Sequence, residues 1–351
     1  MMWIVNRIDT RASGVGAGRR VVAIISLTCA AAVLPLSSAD AQSSTTQGAG
    51  SISEVPENRG PVQATHVDAA AFAREHPGTT PPGSNDFSCK PSGAHPRPVI
   101  LAHGTDANAY SDWSAMSPAL KAAGYCVFAL NYGGRPGGDS FGTEDMRISG
   151  QQTADFVQRV RAATGAEKVD LVGFSQGATV TRYFVNRLGG AAAVERWVGV
   201  ASPSYGGIFY GLAPVVDGIP GGAEAIEAVL GQAVGQQIQG SPFLDALNEP
   251  ADTVPGVSYT TIGTQYDEMI QPASNVALRG RGATNVTIQA LCPEDRTGHM
   301  NMVYDPFTIG LVLRALDPGA PEPVCAPVAL GTGIPEMMYE SNFGGGSSDG
   351  S

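Results

Sequence analysis

Charge is scarce in this chain. Asp, Glu, Lys and Arg make up 15% of its 351 residues, against about a quarter in an average globular domain. Basic residues are the scarcer kind, 21 against 32 acidic, and the formal net charge is −11. Four of the arginines (Arg7, Arg11, Arg19, Arg20) fall within residues 1–41, which leaves 17 basic and 30 acidic residues beyond them. No basic patch remains to bind nucleic acid or an anionic membrane surface. Long apolar runs are missing too. The best, Val21 to Leu36, is 16 uncharged residues with Pro35 inside it, short of the ~20 that cross a bilayer, so no stable membrane insertion is expected. Cysteine occurs five times and never as C-x-x-C, which removes the usual zinc framework; no metal and no other cofactor is expected. There is no internal repeat. Histidine is nearly as rare, with His66, His76, His95, His103 and His299 only.

The N-terminal residues read as an export signal. Four arginines form a positive region, the apolar run follows, and Ala39-Asp40-Ala41 makes an A-x-A cleavage site, so residues 1–41 are expected to be removed and the protein secreted. Residues 42–60, rich in Ser, Thr, Gln and Gly, read as a disordered lead, and residues 331–351, ending in GGGSSDGS, as a disordered tail. Export places the remaining cysteines in an oxidising compartment. Cys89, Cys126, Cys292 and Cys325 allow three pairings. Cys89–Cys126 and Cys292–Cys325 are favoured because each staples a flank to the core.

Between these ends, short apolar runs alternate with amphipathic stretches. Strands are predicted at Val99–Ala102, Tyr125–Leu130, Val169–Val172, Trp197–Ala201, Tyr259–Gly263 and Val286–Leu291. Helices are predicted at Trp113–Ala123, Ser149–Ala163, Ala178–Leu188 and Pro306–Leu316. Strands that are apolar throughout, alternating with helices, indicate a parallel sheet covered on both faces. One α/β domain is therefore expected over residues 61–330. Residues 202–254 are a cap or lid candidate: Ala223 to Ile238 carries an apolar stripe at helical spacing, which either packs on the core or meets acyl chains as a lid.

The pattern G-x-S-x-G occurs three times: Gly138–Gly142, Gly173–Gly177 and Gly346–Gly350. In a chain with 45 glycines the pattern alone is weak. Ser348 lies in the glycine-serine tail, and Ser140 in a glycine-rich loop. Ser175 alone has a strand running in and a helix running out. A nucleophile elbow requires that context, because a sharp strained turn lifts the serine oxygen clear of the sheet. Gly173 and Gly177 leave room for close backbone passage, with Phe174 as the residue before the serine. In such a fold the order is Ser, then Asp or Glu, then His. Only His299 follows Ser175. Asp267, four residues past a predicted strand, is the expected acid, and Glu268 is its rival. The oxyanion hole needs two backbone N–H groups: Gln176, after the nucleophile, and Thr105, in the loop after the first strand. His103 is expected to shape that loop.

These residues carry a resemblance. PVILAHGTDANAYSDWSAMSPALKAAGYCVFALNYG, DLVGFSQGATVTRYFVNRLGG, SPFLDALN, DTVPGVSYTTIGTQYDEMI and LCPEDRTGHMNMVYDP together resemble the secreted bacterial class 2 lipases, α/β-hydrolases common in actinobacteria, over roughly residues 85–318. The resemblance implies an α/β-hydrolase fold and a secreted serine esterase or triacylglycerol lipase without metal. It places the family's triad on Ser175, Asp267 and His299 and its oxyanion donors on Thr105 and Gln176. Its substrate is a lipid or other ester, taken at an oil–water interface. Many relatives have histidine where Phe174 stands, a departure that bears on the acyl pocket rather than on the base. Two alternatives stay open: a carboxylesterase or polyester hydrolase with the same triad, and a catalytically inactive hydrolase-fold binding protein, against which the intact triad speaks.

Overall fold

A computed structural model of the chain describes residues 55–332, apart from 136, 137, 139 and 209–230. The expected export signal, residues 223–230 of the apolar stripe and nearly all of the tail lie outside the described residues. Six parallel strands form the central sheet in the order β4-β3-β5-β6-β7-β8: β3 Val99–Ala102, β4 Val127–Leu130, β5 Val169–Phe174, β6 Val194–Val200, β7 Ser258–Gly263 and β8 Thr284–Thr287. Chain order reverses direction at β3, whose neighbours are β4 and β5. In such sheets ligands bind beyond the carboxyl ends of the strands near that switch.

Successive side chains of a strand face opposite sides, and both sides are filled here. Val99 and Leu101 of β3 join Val127, Ala129, Val172 and Phe174 in one core, while Ile100 and Ala102 join Phe128, Leu130, Val169 and Leu171 in the other. Helices α1 His66–Glu75, α2 Ala109–Trp113, α3 Met116–Ala122 and α9 Pro306–Leu316 cover the first face. Helices α4 Met146–Thr164, α5 Gln176–Arg187 and α7 Pro242–Asn248 cover the second; the short α6 Gln232–Gln236 and α8 Ile288–Leu291 lie between these elements in sequence. Each fully buried Val, Leu or Ile contributes about 1.5–3 kcal/mol, which is why the central strands β3, β4 and β5 carry almost no polar side chain. Asp170 of β5 is the exception there, and Arg97 pairs with it at 2.9 Å. No helix among the described residues is long and apolar enough to cross a membrane.

Helix ends follow local chemistry. α9 spans the predicted residues: Asp305 accepts the Thr308 amide at 2.7 Å, and Pro306 occupies the first turn, where its missing N–H costs nothing. α4 stops at Gly165, which is left-handed at φ 78°.

Four expectations are corrected. The single helix predicted over Trp113–Ala123 is two, because Asn108 caps a helix that starts at Ala109 and a second begins at Met116. That restart puts Pro118 in a first turn, where proline is tolerated, instead of mid-helix. The strand predicted over Val286–Leu291 is β8 up to Thr287 and then the helical turn α8, with Gln289 turned inward onto the Gln265 amide, Thr264 Oγ1 and the Asp295 carbonyl. α5 starts at Gln176, two residues earlier than predicted. Within the lead expected to be disordered to residue 60, β1 Asn58–Arg59 pairs in parallel with β2 Thr79–Thr80. The cysteines pair as Cys89–Cys126 and Cys292–Cys325.

Candidate active site

β5 and α5 meet at Ser175. The serine has φ 50° and ψ −121°, a backbone conformation that costs about 1–3 kcal/mol and survives only where the surroundings enforce it. Two glycines enforce it by allowing contact that no side chain would. A Cβ on Gly173 would sit 2.3 Å from the Ala178 amide nitrogen, and one on Gly177 would sit 2.1 Å from the Ala102 carbonyl oxygen. The Ser175 amide donates to Val200 O at 2.8 Å, tying the turn to β6. Because Ser175 is the N-cap of α5, the Gln176 amide belongs to the first helical turn, where no intrahelical carbonyl is available to it. The positive helix end also favours negative charge at this point.

His299 comes from the loop between α8 and α9. Its Nδ1 lies 3.0 and 3.1 Å from the two Asp267 carboxylate oxygens. A carboxylate only accepts, so Nδ1 carries the proton and Nε2 is the basic nitrogen of the neutral ring. Both side chains are almost fully buried. Burial opposes charge on His299, but Asp267, Glu268 and Asp112 outweigh it and hold the imidazole above its ordinary value. Asp267 lies four residues past β7 and is fixed in turn by the Met269 and Ile270 amides at 2.9 and 2.7 Å. The rival Glu268 serves the backbone instead. Its carboxylate accepts the His299 and Met300 amides at 2.6 and 3.3 Å, holding the loop that bears the histidine.

Ser175, His299 and Thr105 line one cavity of about 120 Å³, with Phe174, Ile208, Val234, Met269, Ile270 and Met300 among its apolar walls. That is roughly four water volumes, room for an acyl carbonyl and the chain nearest it. His103 is buried and neutral in character: burial pushes its imidazole below the ordinary value, against the opposing pull of Asp112 and the Gly104 carbonyl. Its Nδ1 donates to Gly104 O at 2.8 Å, its Nε2 accepts the Tyr132 amide at 3.3 Å, and the Tyr132 hydroxyl donates to His103 O. The loop carrying Thr105 is thus braced by a histidine on both ring nitrogens. Phe174 packs against His299 with ring centroids 5.1 Å apart, so the residue before the serine meets the imidazole itself. Among the described residues no group of three or more His, Cys, Asp or Glu is arranged to hold a metal ion.

The sequence pattern of class 2 lipases matches residues 96–311 of this chain. The chain belongs to the class 2 lipase family. Two curated relatives, triacylglycerol lipases of Pseudarthrobacter phenanthrenivorans and Burkholderia plantarii, are each 38% identical over 91 residues, 24% of this chain. The match spans only 27% and 24% of those relatives. Among solved structures, Aspergillus fumigatus lipase B superposes with a TM-score of 0.54 at 19% identity, covering 69% of this chain and 56% of that one. At that identity the likeness concerns the fold, which is that of an α/β-hydrolase.

Three features of the site leave no local mark in the sequence. Gln176, expected to serve through its backbone, also uses its side chain: Nε2 donates to Thr105 Oγ1 at 2.9 Å and to Gly142 O at 2.8 Å, locking the two oxyanion candidates together. Gln237, just past α6, donates to the same Thr105 oxygen at 3.1 Å. His66 and Asp112 reach the cavity from α1 and α2. His66 and Gln237 lie outside every motif quoted above. The described end of the apolar stripe is buried, with Val234 and Ile238 packed on Ile208 beside the cavity.

Proposed function

We propose that this protein is a secreted carboxylic ester hydrolase acting on lipid esters, triacylglycerol or similar, through a Ser175–His299–Asp267 acyl-enzyme mechanism. The observation that supports it most is the strained serine at the head of α5 sharing a cavity with a histidine whose far nitrogen is bound to a buried aspartate. His299 Nε2 takes the Ser175 proton as the serine oxygen attacks the ester carbonyl carbon. The Thr105 and Gln176 amides bind the carbonyl oxygen as it becomes an oxyanion, and Asp267 stabilises the imidazolium. Collapse expels the alcohol, which receives the proton from His299. Water, deprotonated by His299, then attacks the acyl-enzyme, and the acid leaves with Ser175 restored. The apolar walls, Ile208 and Val234 among them, suit an acyl chain. Secretion agrees with two disulfides, which persist in oxidising compartments, and with the signal-like residues 1–41.

The test is a series of p-nitrophenyl esters and emulsified triacylglycerols of increasing acyl length, hydrolysed by the mature protein and by Ser175→Ala. The expectation is turnover that continues into long chains and vanishes in the variant. Turnover confined to short soluble esters would make the protein a carboxylesterase with the same triad. Turnover surviving Ser175→Ala would remove the mechanism.

A further inference from the structure

A second histidine–carboxylate pair lies in the same cavity, and acyl transfer leaves it idle. His66 Nε2 stands 3.1 Å from Asp112 Oδ1, with Asp112 fully buried and the His66 side chain 15% exposed. Both residues line the cavity that holds Ser175 and His299. A buried carboxylate persists only where hydrogen bonds or opposite charge compensate it. Here Asp112 Oδ2 accepts the Gly104 amide at 2.7 Å, and Oδ1 accepts from Ser111 Oγ at 3.3 Å as well as from His66. Burial pushes the Asp112 carboxyl up, but the hydrogen bonds from His66 and the Gly104 amide outweigh it and hold it below its ordinary value. It is an anion at neutral pH.

What Asp112 grips is decisive. Gly104 immediately precedes Thr105. The Gly104 amide is held by Asp112, and the Gly104 carbonyl by His103 Nδ1 at 2.8 Å. A trans peptide is planar, with N–H opposite to C=O, so the held Gly104 carbonyl sets the direction of the Thr105 N–H, and the Asp112 grip on the Gly104 amide fixes the peptide just before it. We propose that Asp112 and His66 are positioning residues for the oxyanion hole: Asp112 grips the Gly104 amide, and His66 holds that carboxylate in place, so the Thr105 amide is aimed before substrate arrives. This rests on the ester-hydrolase reading above.

His66 lies before residue 96, where the family match begins. It is delivered by a segment outside that match. Thr65 caps α1 at the residue just before His66. The segment is seated on α2 by Phe72 against Tyr110 at 5.3 Å, by the Tyr110 hydroxyl on Pro61 O at 2.8 Å and by Gln63 on that hydroxyl at 3.1 Å. The His66 ring also meets Tyr304 edge-on at 6.3 Å. Asp112 has a second reach, since its charge acts on His299 together with Asp267 and Glu268.

The experiment measures steady-state hydrolysis of a short p-nitrophenyl ester across pH for the parent, Asp112→Asn, His66→Ala, His66→Gln and Ser175→Ala. Folded enzyme is counted by thermal melting. Asp112→Asn is expected to lower kcat about 10- to 100-fold with KM nearly unchanged, in line with the ~10²-fold cost of misplacing a catalytic group by about 1 Å. Its acid limb moves to lower pH because one anion near His299 is gone. His66→Ala is expected to lose less, and His66→Gln, which keeps an N–H donor, to recover most of that loss. A kcat per folded molecule for Asp112→Asn within about twofold of the parent overturns the proposal, twofold being the size of an ordinary surface change. If Asp112→Asn does not fold, the His66 pair decides: equal activity in parent and Ala, or no recovery with Gln, overturns it. Activity retained by Ser175→Ala is a separate result and strikes the hydrolase reading itself.

Discussion

Two pentapeptides of this chain have the same pattern and opposite fates. Gly173–Gly177 joins a buried strand to a buried helix, and its serine is forced to φ 50° at the helix head, in the cavity with His299. Gly138–Gly142 joins neither. The Ser140 hydroxyl donates to Asp106, with no histidine bonded to that pair among the described residues, and Phe141 exchanges backbone hydrogen bonds with Ala107. The glycines differ in the same sense. Gly177 lies where a Cβ would overlap the β3 backbone, whereas a Cβ on Gly138 would meet, among the described residues, the Arg135 carbonyl oxygen at 3.0 Å and the Ser140 carbonyl oxygen at 3.8 Å. Gly142, at φ 73° and packed against Gly104 O, braces the oxyanion loop instead. Ser175 is the proposed nucleophile because of the elements that flank it, while the twin pentapeptide lends only Gly142 to the wall of that site.

The largest expected effect separates the two serines. Ser175→Ala should lower kcat by about 10⁴-fold or more, while Ser140→Ala, at a loop surface, should stay within about twofold. Hydrolysis of a soluble ester checks both; equal losses would end the distinction. The next effect tests their acidic neighbours. Asp267→Asn should cost about 10²- to 10⁴-fold in kcat by releasing the imidazole tautomer. Asp106→Asn, whose carboxylate serves only Ser140 among the described side chains, should cost little by the same assay.

The glycines come third. Gly177→Ala should destabilise the protein by about 1–3 kcal/mol or prevent folding, the usual range for overpacking, and Gly138→Ala should cost less; melting temperatures compare them. The smallest effect is in pH. His299 is held above its ordinary value of 6.5, and only the neutral ring is a base. kcat/KM should therefore fall as pH drops through a midpoint above that value. In Asp267→Asn the midpoint should move down, because the strongest of the groups that raise it has lost its charge. The sign for stability is the reverse. The imidazolium–Asp267 attraction is fully present below the ordinary histidine value and is lost as pH rises through the raised one.

The middle of the sheet is legible from sequence because β3, β4 and β5 are buried on both faces, so their residues form apolar runs such as Val99–Ala102. α9 is legible to the residue because Asp305 and Pro306 mark its start chemically. Order and context point to Ser175 and His299, and the place past β7 points to Asp267. What is not legible depends on contacts between distant residues. Glu268 reads as a rival acid, yet it works on the backbone of a loop 31 residues away. His66 meets Asp112 across 46 residues, by the packing of α1 on α2, which no local periodicity encodes. β8 gives way to a helical turn after Thr287, where Gln289 faces inward onto Gln265 and Thr264, 24 and 25 residues away.

The central claim is that one serine of this chain, and not its twin, is the nucleophile. Treating the mature protein with a fluorophosphonate ester and mapping the adduct by peptide mass spectrometry tests it directly. A single adduct on Ser175, lost in His299→Ala, is the predicted result. An adduct on Ser140, or none while ester hydrolysis proceeds, would contradict it.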